Sequence, residues 1–244
     1  MALRVLFEGT VPKHTESPDE NEDAYRVAPE AGRVVLSDGA SESFDARSWA
    51  RLLVEQLLDQ DLSREVLGSC AQAYEGCHDP TSLSWSKAAA YERGSFATIV
   101  IAQDLPARLA VSITAAGDSL AVWSDGAQLL GSFPYTRADQ FEEKPTLLAT
   151  RLALNGVGSD EAPGWTSTEW GYEADGYRTL LCMTDALGAW LLRHEEQGDP
   201  SALERLLAIR EPQELHGLVE AERAAGRIRR DDSTLVIASL TRSP

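Results

Sequence analysis

The sequence predicts an α+β fold in which antiparallel β-sheets are flanked by helices. Three observations predict it. A chain of 244 residues, 43% hydrophobic and 25% charged, is ordinary for one layered globular domain. Eight short β-type runs recur along it, and the helical patterns form groups instead of alternating with those runs one for one. Because strands and helices are partly segregated, antiparallel sheets are favoured over a doubly wound parallel sheet. We expect one domain spanning residues 1–244.

The predicted strands follow one another from the first residues to the last. Each is a short apolar run, rich in β-branched residues and broken by glycine, aspartate or serine. In chain order the runs are LRVLFEGTV, DAYRVA, RVVLSD, FATIVIAQ, LAVSITAAG, AVWS, TLLCMT and STLVIASL. Asp125-Gly126 lies between two apolar runs and predicts a tight hairpin, whereas Asp175-Gly176 comes just before a strand.

The helical patterns form two groups. In the first, DARSWARLLVEQLLDQ (45–60) is followed by REVLGSCAQAYEG and WSKAAAYER; its predicted buried face comprises Trp49, Leu52, Leu53, Gln56 and Leu57. In the second, ALGAWLLRHEEQ, PSALERLLAIR and EPQELHGLVEAERAAG have prolines near two starts and a glycine as the last stop. Residues 133–170, with their prolines, glycines and tryptophans, follow neither period clearly.

The charge and cysteine content exclude several classes of protein. A net charge of −17 disfavours binding to nucleic acid or to anionic lipid and favours binding of cations. No apolar run is long enough to cross a bilayer or to form a signal peptide, so we expect a cytoplasmic protein. Three cysteines are an odd number and predict reduced thiols. Cys70, Cys77 and His78 fit no standard zinc spacing.

Acidic residues stand at the ends of the predicted strands. They are Glu22-Asp23, Asp38, Asp118, Asp185 and Asp231-Asp232. Any one of them alone is most often a turn or helix cap. As a set, however, they can converge from remote segments, and converged carboxylates are stable only when they are protonated or hold cations. Oxygen ligands select Mg²⁺ or Mn²⁺, and two such ions activate water for attack on a phosphoryl group.

Six motifs carry a resemblance to a known family. In order they are NEDAY, VVLSDGA, GSFAT, AAGDSLAV, MTDAL and RRDDSTLV, and they resemble the successive motifs of the metal-dependent protein phosphatases of type 2C. The resemblance spans residues 21 to about 240. It implies a four-layer αββα sandwich of two antiparallel β-sheets, with a centre of two Mn²⁺ or Mg²⁺ ions at one end. It also implies hydrolysis of phosphoserine and phosphothreonine in a protein substrate, without a phosphoenzyme.

The resemblance also implies roles for particular residues. The implied metal ligands are Glu22, Asp38, the backbone carbonyl of Gly39, Asp118, Asp185 and Asp231. Asp38 would bridge both ions, and Gly39 and Glu22 would serve one of them. Asp185 and Asp231 would hold the other, so that Asp38, Asp185 and Asp231 are the candidate catalytic residues. Asp118 would help to bind a third, looser ion, and Asp23 would act through water.

Several positions depart from the family pattern. Pro18 stands where many relatives have an arginine that holds the substrate phosphate. Either Lys13 replaces this arginine or the metal ions hold the phosphate alone. Ala40 stands where some relatives have a histidine. We expect residues 41–43 to cap the following helix and Arg229 and Arg230 to pair with neighbouring carboxylates.

These observations leave three functions open. The first is a monomeric serine/threonine phosphatase acting on a phosphorylated protein, with no nucleic-acid or membrane partner. The second is a module that keeps cations and binds a phosphorylated partner without turnover, which Pro18 and the altered loop after Gly39 favour. The third is a metal-dependent hydrolase of small phosphate esters.

Overall fold

The computed structural model describes residues 2–155, 164–173 and 176–241. Within these residues the strands are β1 (Ala2–Val11), β2 (Ala24–Ala28), β3 (Arg33–Ser37), β4 (Phe96–Ala97), β5 (Ile99–Leu105), β6 (Ala110–Ala116), β7 (Leu120–Ser124), β8 (Leu129–Phe133), β9 (Leu148–Ala149), β10 (Thr166–Gly171), β11 (Arg178–Met183) and β12 (Ser233–Thr241). The α-helices are α1 (Ala46–Leu57), α2 (Arg64–Gly76), α3 (Trp85–Arg93), α4 (Asp185–Glu196), α5 (Ser201–Ala208) and α6 (Pro212–Ala224).

The strands form two five-stranded sheets. The first sheet has the order β1-β12-β11-β7-β8 and the second has the order β10-β6-β5-β3-β2. Every strand pair in both sheets is antiparallel. Strands β4 and β9 form a separate short ladder. The predicted α+β class, with antiparallel sheets flanked by helices, is therefore confirmed.

Three apolar layers hold the sandwich together. The middle layer lies between the sheets, since it combines side chains of β3, β5 and β6 with side chains of β7, β11 and β12. A second layer joins the outer face of the first sheet to α4, α5 and α6. A third joins the outer face of the second sheet to α1 and α2. These layers give the four-layer αββα arrangement, because each sheet has one face on its partner and the other under helices.

The buried face of α1 agrees largely with the face that the hydrophobic periodicity predicts. Trp49, Leu53 and Leu57 are fully buried, as predicted. The predicted face is rotated slightly, however, because Ala50 and Val54 are also fully buried, whereas the predicted Leu52 and Gln56 are only partly covered.

The predicted elements are confirmed except in the segment without clear periodicity. The eight predicted runs correspond to strands, and the Asp125-Gly126 turn joins β7 to β8. There the Asp125 carboxylate accepts from the backbone N–H groups of Ala127 and Gln128 at 2.9 and 2.8 Å. The structure adds β9 within residues 133–170 and β10, which begins there and ends at Gly171. Asp175 lies outside the described residues.

The cysteines are reduced, as the sequence predicts. All three cysteines are free, and burial raises the pKa of the Cys70 thiol to about 11. In the ranges that the structure describes, no helix combines the length and the apolar character needed to cross a membrane.

Candidate active site at one end of the sandwich

The acidic residues of both sheets meet at one end of the sandwich. Asp38 directly follows β3, and Asp23 directly precedes β2, so both belong to the second sheet. Asp185 follows β11 and Asp231 lies just before β12, in the first sheet. Asp118 lies in the turn from β6 to β7, where the chain passes from one sheet to the other. Strand ends thus bring together residues that are remote in sequence.

A cavity of about 190 Å³ opens at this end. Five of the six predicted ligand residues line it, namely Asp38, Gly39, Asp118, Asp185 and Asp231. Glu22, the sixth, is not part of the lining. Its carboxylate accepts a hydrogen bond from the hydroxyl of Ser41, and Ser41 does line the cavity.

The Asp38-Gly39 turn is held by backbone contacts on both sides. The Asp38 N–H donates to Thr98 Oγ1 at 2.9 Å, and the Thr98 N–H donates to the Asp38 carbonyl at 2.8 Å. A Cβ added to Gly39 would lie 2.9 Å from atoms of Ala46, in the first turn of α1. Glycine is therefore required here for helix packing, a reason that the sequence did not reveal.

Thr98 also ties the Asp118 segment to the same place. Its hydroxyl lies 2.6 Å from the Ser119 hydroxyl, next to Asp118. Gly117 has φ of +90°, and a Cβ there would lie 2.7 Å from Thr98 Cγ2. Since both the backbone conformation and the contact demand glycine, the position of Asp118 is set by the Gly117 turn.

Asp23 and Asp232 fasten the two sheets to each other beside the cavity. Asp232 accepts hydrogen bonds from the backbone N–H groups of Lys13 and Glu22 at 2.7 and 2.8 Å. Asp23 Oδ2 accepts from the hydroxyls of Thr234 and Thr184 at 2.7 and 3.2 Å. Sequence reasoning grouped Asp232 with Asp231 and missed its anchoring role, for which the adjacent acidic pair was the only signal.

Lys13 reaches this end of the sandwich. Its Nζ lies 3.2 Å from Glu22 Oε2 and 2.8 Å from Ser41 Oγ. Pro18, at the position of the missing arginine, is exposed at the start of a 3-10 turn (Pro18–Glu20). Lys13 is thus the cation beside Glu22.

The expected helix cap at residues 41–43 is wrong. The cap of α1 is Asp45, whose carboxylate accepts from the Ser48 N–H at 3.1 Å. Ser43 donates instead to the Ala40 carbonyl at 2.7 Å. Asp45 lies directly before the helix, so it is placed better to accept from the first helical N–H groups.

Arg229 places a guanidinium among the acids of the first sheet. It contacts the Asp185 carboxylate and lies 3.2 Å from Asp231 Oδ2. Its predicted pairing with neighbouring carboxylates is therefore confirmed. Arg230 is exposed and makes no ion pair with any residue in the described ranges, so the same prediction is wrong for it.

Three carboxylates of the cavity, those of Asp38, Asp118 and Asp185, resist ionisation. Burial, reinforced by the charges of Asp23 and the other neighbouring acids, raises the pKa of Asp38 well above its usual range. Burial likewise raises the pKa of Asp118, and it raises that of Asp185 to about 7 although Arg229 acts in the opposite direction. Asp185 Oδ1 is buried without a hydrogen-bond partner in the described structure. Burial therefore favours the protonated form of these carboxyl groups, and Arg229 offsets this only in part at Asp185.

These shifts predict that the metal-free protein loses stability as the pH rises. The folded state holds protons on groups such as Asp185 that the unfolded chain releases near its ordinary value of 3.8. The stability that these groups contribute is therefore fully present below about pH 4 and is lost as the pH rises through about 7. At about 1.4 kcal/mol per pKa unit, we expect the free energy of unfolding to fall by about 1–4 kcal/mol across this window.

Denaturant unfolding in the presence of a chelator measures this slope. The Asp185→Asn variant is the control, because it removes one titrating group and should flatten the curve. A free energy of unfolding that rises from pH 4.5 to pH 7.5 would contradict the prediction.

The residues present suit a hard divalent cation by their chemistry. Carboxylate oxygens and the Gly39 carbonyl are the donors that Mg²⁺ and Mn²⁺ prefer. The buried, unpartnered Asp185 Oδ1 and the raised pKa values of Asp38 and Asp185 are consistent with a site that a cation would stabilise. Among the described residues, however, no group of three histidine, cysteine, aspartate or glutamate side chains is gathered closely enough to hold an ion. Arg229 contacts the Asp185 and Asp231 carboxylates instead.

The comparison with solved structures identifies the fold. No family model matches the chain, and no curated protein matches it in sequence. Among solved structures, the catalytic domain of the serine threonine protein phosphatase PstP, in complex with two manganese ions, is 17% identical with a TM-score of 0.62, covering 99% of each chain. The serine/threonine phosphatase Stp1 from Staphylococcus aureus is 18% identical with a TM-score of 0.60, covering 97% of this chain and 96% of that one.

A third structure, a bacterial serine phosphatase, is 16% identical with a TM-score of 0.60 and covers 98% of this chain and 99% of that one. The resemblance inferred from the six motifs is thus confirmed at the level of the fold. This chain has the fold of the serine/threonine phosphatases over nearly its whole length.

Proposed function

We propose that this chain, which has the fold of the serine/threonine phosphatases, hydrolyses phosphoserine and phosphothreonine esters in proteins with the help of Mn²⁺ or Mg²⁺. One observation carries the proposal: Asp38, Asp118, Asp185, Asp231 and the Gly39 backbone line one cavity at the end of the sandwich. They come from four segments at strand ends that are remote in sequence, and the fold brings these segments together.

The proposed ligands would hold two ions. Glu22, Asp38 and the Gly39 carbonyl would serve one ion, and Asp38, Asp185 and Asp231 the other. When bound, the two ions supply a nucleophilic hydroxide near neutral pH and neutralise a phosphoryl oxygen. Four carboxylates, Glu22, Asp38, Asp185 and Asp231, match the charge of two divalent ions. Asp118 is the proposed ligand of a third.

The cations of the chain itself would position the substrate. Arg229 must release Asp185 and Asp231 before these can bind an ion, and its guanidinium is then available to a phosphate oxygen beside the cavity. Lys13 and Ser41 lie on the Glu22 side, where they can donate to the same phosphoryl group. Thr98 holds the Asp38 backbone while this happens, because it contacts that backbone on both sides.

A second candidate is a binding module without turnover. The ion pairs of Arg229 with Asp185 and Asp231 favour it, because they place a positive charge where the second ion would lie. In this case the protein would bind a cation and a phosphorylated partner but release no phosphate.

A Mn²⁺ titration of the metal-free protein distinguishes the two. For a phosphatase we expect phosphate release from a phosphothreonine peptide to rise with Mn²⁺ and to saturate. The melting temperature should rise over the same range, since a ligand at one hundred times its Kd stabilises by about 2.7 kcal/mol. Stabilisation without release would support the binding module.

The choice of substrate supplies the remaining control. Release from a small ester such as p-nitrophenyl phosphate, but from no phosphopeptide, would indicate a hydrolase of small phosphate esters. If no Mn²⁺ concentration produces either stabilisation or phosphate release, the metal-dependent proposal itself is contradicted.

A further inference from the structure

A second cavity, of about 180 Å³, adjoins the candidate active site. The two cavities share Asp185 and Arg229 as lining residues, so they lie on either side of one ion pair. Trp190 and Phe141 contribute an apolar wall to the second cavity. We call it the arginine pocket, because Arg193, Arg227 and Arg229 all line it.

Three arginines around one small cavity are unusual in a chain with a net charge of −17. Arg227 is held in place by Glu222, to which its Nε and Nη2 donate at 2.6 and 3.0 Å. Glu222 is 2% exposed and also accepts from Arg205 at 2.7 Å. Hydrogen bonds from Arg227 and Arg205 lower the pKa of Glu222 to about 2. Glu222 thus fixes the Arg227 guanidinium in the wall of the pocket and shares its own charge with Arg205, which lies outside the lining.

Arg193 adds a charge that nothing in the described structure neutralises. Its Nη1 donates to the Arg227 carbonyl at 3.3 Å, and it makes no ion pair with any described residue. The side chain is exposed on α4. Two acids also line the pocket: Asp185, which Arg229 contacts, and Glu142, which is exposed at the rim.

The helix sets the distance between the two cavities. Asp185, Ala189 and Arg193 are four residues apart in turn and lie along one face of α4, and the small side chain of Ala189 leaves the space between them open. At 1.5 Å per residue, the Cα atoms of Asp185 and Arg193 are about 12 Å apart. An extended peptide covers this distance in about three to four residues.

We propose that the arginine pocket binds an anionic group of the phosphoprotein substrate, a carboxylate or a second phosphate, about three to four residues from the phosphorylated residue. This inference rests on the proposed phosphatase function, whose site defines where the scissile phosphate lies. It makes acidic phosphopeptides the preferred substrate class. Guanidinium groups suit both kinds of anion, because they can donate two parallel hydrogen bonds.

Phosphothreonine peptides that differ only at this position test the pocket. We expect wild-type kcat/KM to be about tenfold higher with glutamate than with glutamine there, because hydrogen bonds between charged groups are the strong ones. A peptide with phosphoserine at that position tests whether the pocket binds a second phosphate as well as a carboxylate. In Arg193→Ala the ratio of kcat/KM for the glutamate peptide to kcat/KM for the glutamine peptide should fall towards one. In Arg193→Glu a peptide with lysine at this position should be preferred over the glutamate peptide.

The matched control is Arg51→Ala, which removes an exposed arginine from α1 in the opposite outer layer. It should keep the wild-type ratio. Equal kcat/KM for glutamate and glutamine peptides in the wild type would overturn the proposal, and so would an unchanged ratio in Arg193→Ala.

Binding of the same peptides, labelled with fluorescein and followed by anisotropy, separates this proposal from the proposed function. If no peptide is hydrolysed but the wild type still binds the glutamate peptide more tightly than Arg193→Ala does, the phosphatase proposal fails and the arginine pocket stands. If peptides are hydrolysed but binding shows no preference, the pocket fails and the phosphatase stands.

Discussion

Replacing Asp38 by asparagine is expected to lower Mn²⁺-dependent phosphate release by at least about 100-fold in kcat/KM. Asp38 is the proposed bridging ligand, and the loss of a mere outer partner of a metal ligand already costs about 10–100-fold. Asparagine keeps the shape of the side chain but removes the negative charge and one anionic oxygen. The Asp38 backbone contacts with Thr98 do not involve the side chain, so the turn should remain in place.

The chain contains its own control for this substitution. Asp125 also precedes a glycine at the end of a strand, but it belongs to the β7–β8 hairpin and is exposed. Asp125→Asn should therefore retain wild-type phosphate release. Rates for wild type, Asp38→Asn and Asp125→Asn would be compared at saturating Mn²⁺ after chelator treatment. Activity of Asp38→Asn within tenfold of wild type would rule out the bridging role.

Replacing Trp49 by alanine is expected to destabilise the fold by about 3–5 kcal/mol, the usual cost of truncating a buried tryptophan. Trp49 is 0% exposed between α1 and the second sheet. Its Nε1 donates to the Leu148 carbonyl at 2.9 Å, and its ring packs edge-on against Tyr74 at 5.7 Å. The substitution therefore leaves a cavity and removes the hydrogen bond to the Leu148 carbonyl.

For a chain of this length the loss corresponds to a fall in melting temperature of about 6–20 °C. Trp85→Ala is the matched control, since Trp85 is 88% exposed and its loss should change stability by less than about 0.5 kcal/mol. If Trp49→Ala does not fold, Trp49→Phe can be measured instead. It keeps an aromatic ring, so its free energy of unfolding should lie between the wild-type value and the value expected for Trp49→Ala. A Trp49→Ala protein as stable as Trp85→Ala would contradict this account of the α1 layer.

The fold was predictable from the sequence wherever one period dominated. The strands β3 and β12 are buried along their length and mostly apolar, because one face of each sheet is covered by helices and the other by the partner sheet. The β10 run TSTEWG was missed, because it is an edge strand whose residues are exposed or half-buried and which therefore lacks an apolar signal. The buried face of α1 differs slightly from the predicted face because small residues such as Ala50 pack closely against the sheet. A hydrophobic period does not indicate the size of a side chain.

The candidate site was predictable in its members but not in its contacts. Acids at strand ends, read together with the six motifs, indicated five residues that line the cavity. The roles of Thr98 and Asp232 could not be predicted, because each acts by a hydrogen bond to backbone that is distant in sequence. The α1 contact that makes Gly39 necessary depends likewise on the packing of a helix onto the turn.

The bonds between the two sheets have a consequence for how the molecule is synthesised. Thr234 donates to Asp23 across 211 positions of sequence, and the Glu22 N–H donates to Asp232 across 210. Contacts of such separation form late in folding, because loop closure must precede them. A ribosome-bound chain that ends before β12 already carries Asp38, Asp118, Asp185 and Asp231, but it lacks the strand that joins β1 to β11. Cation binding should therefore appear only after β12 has emerged and inserted between β1 and β11.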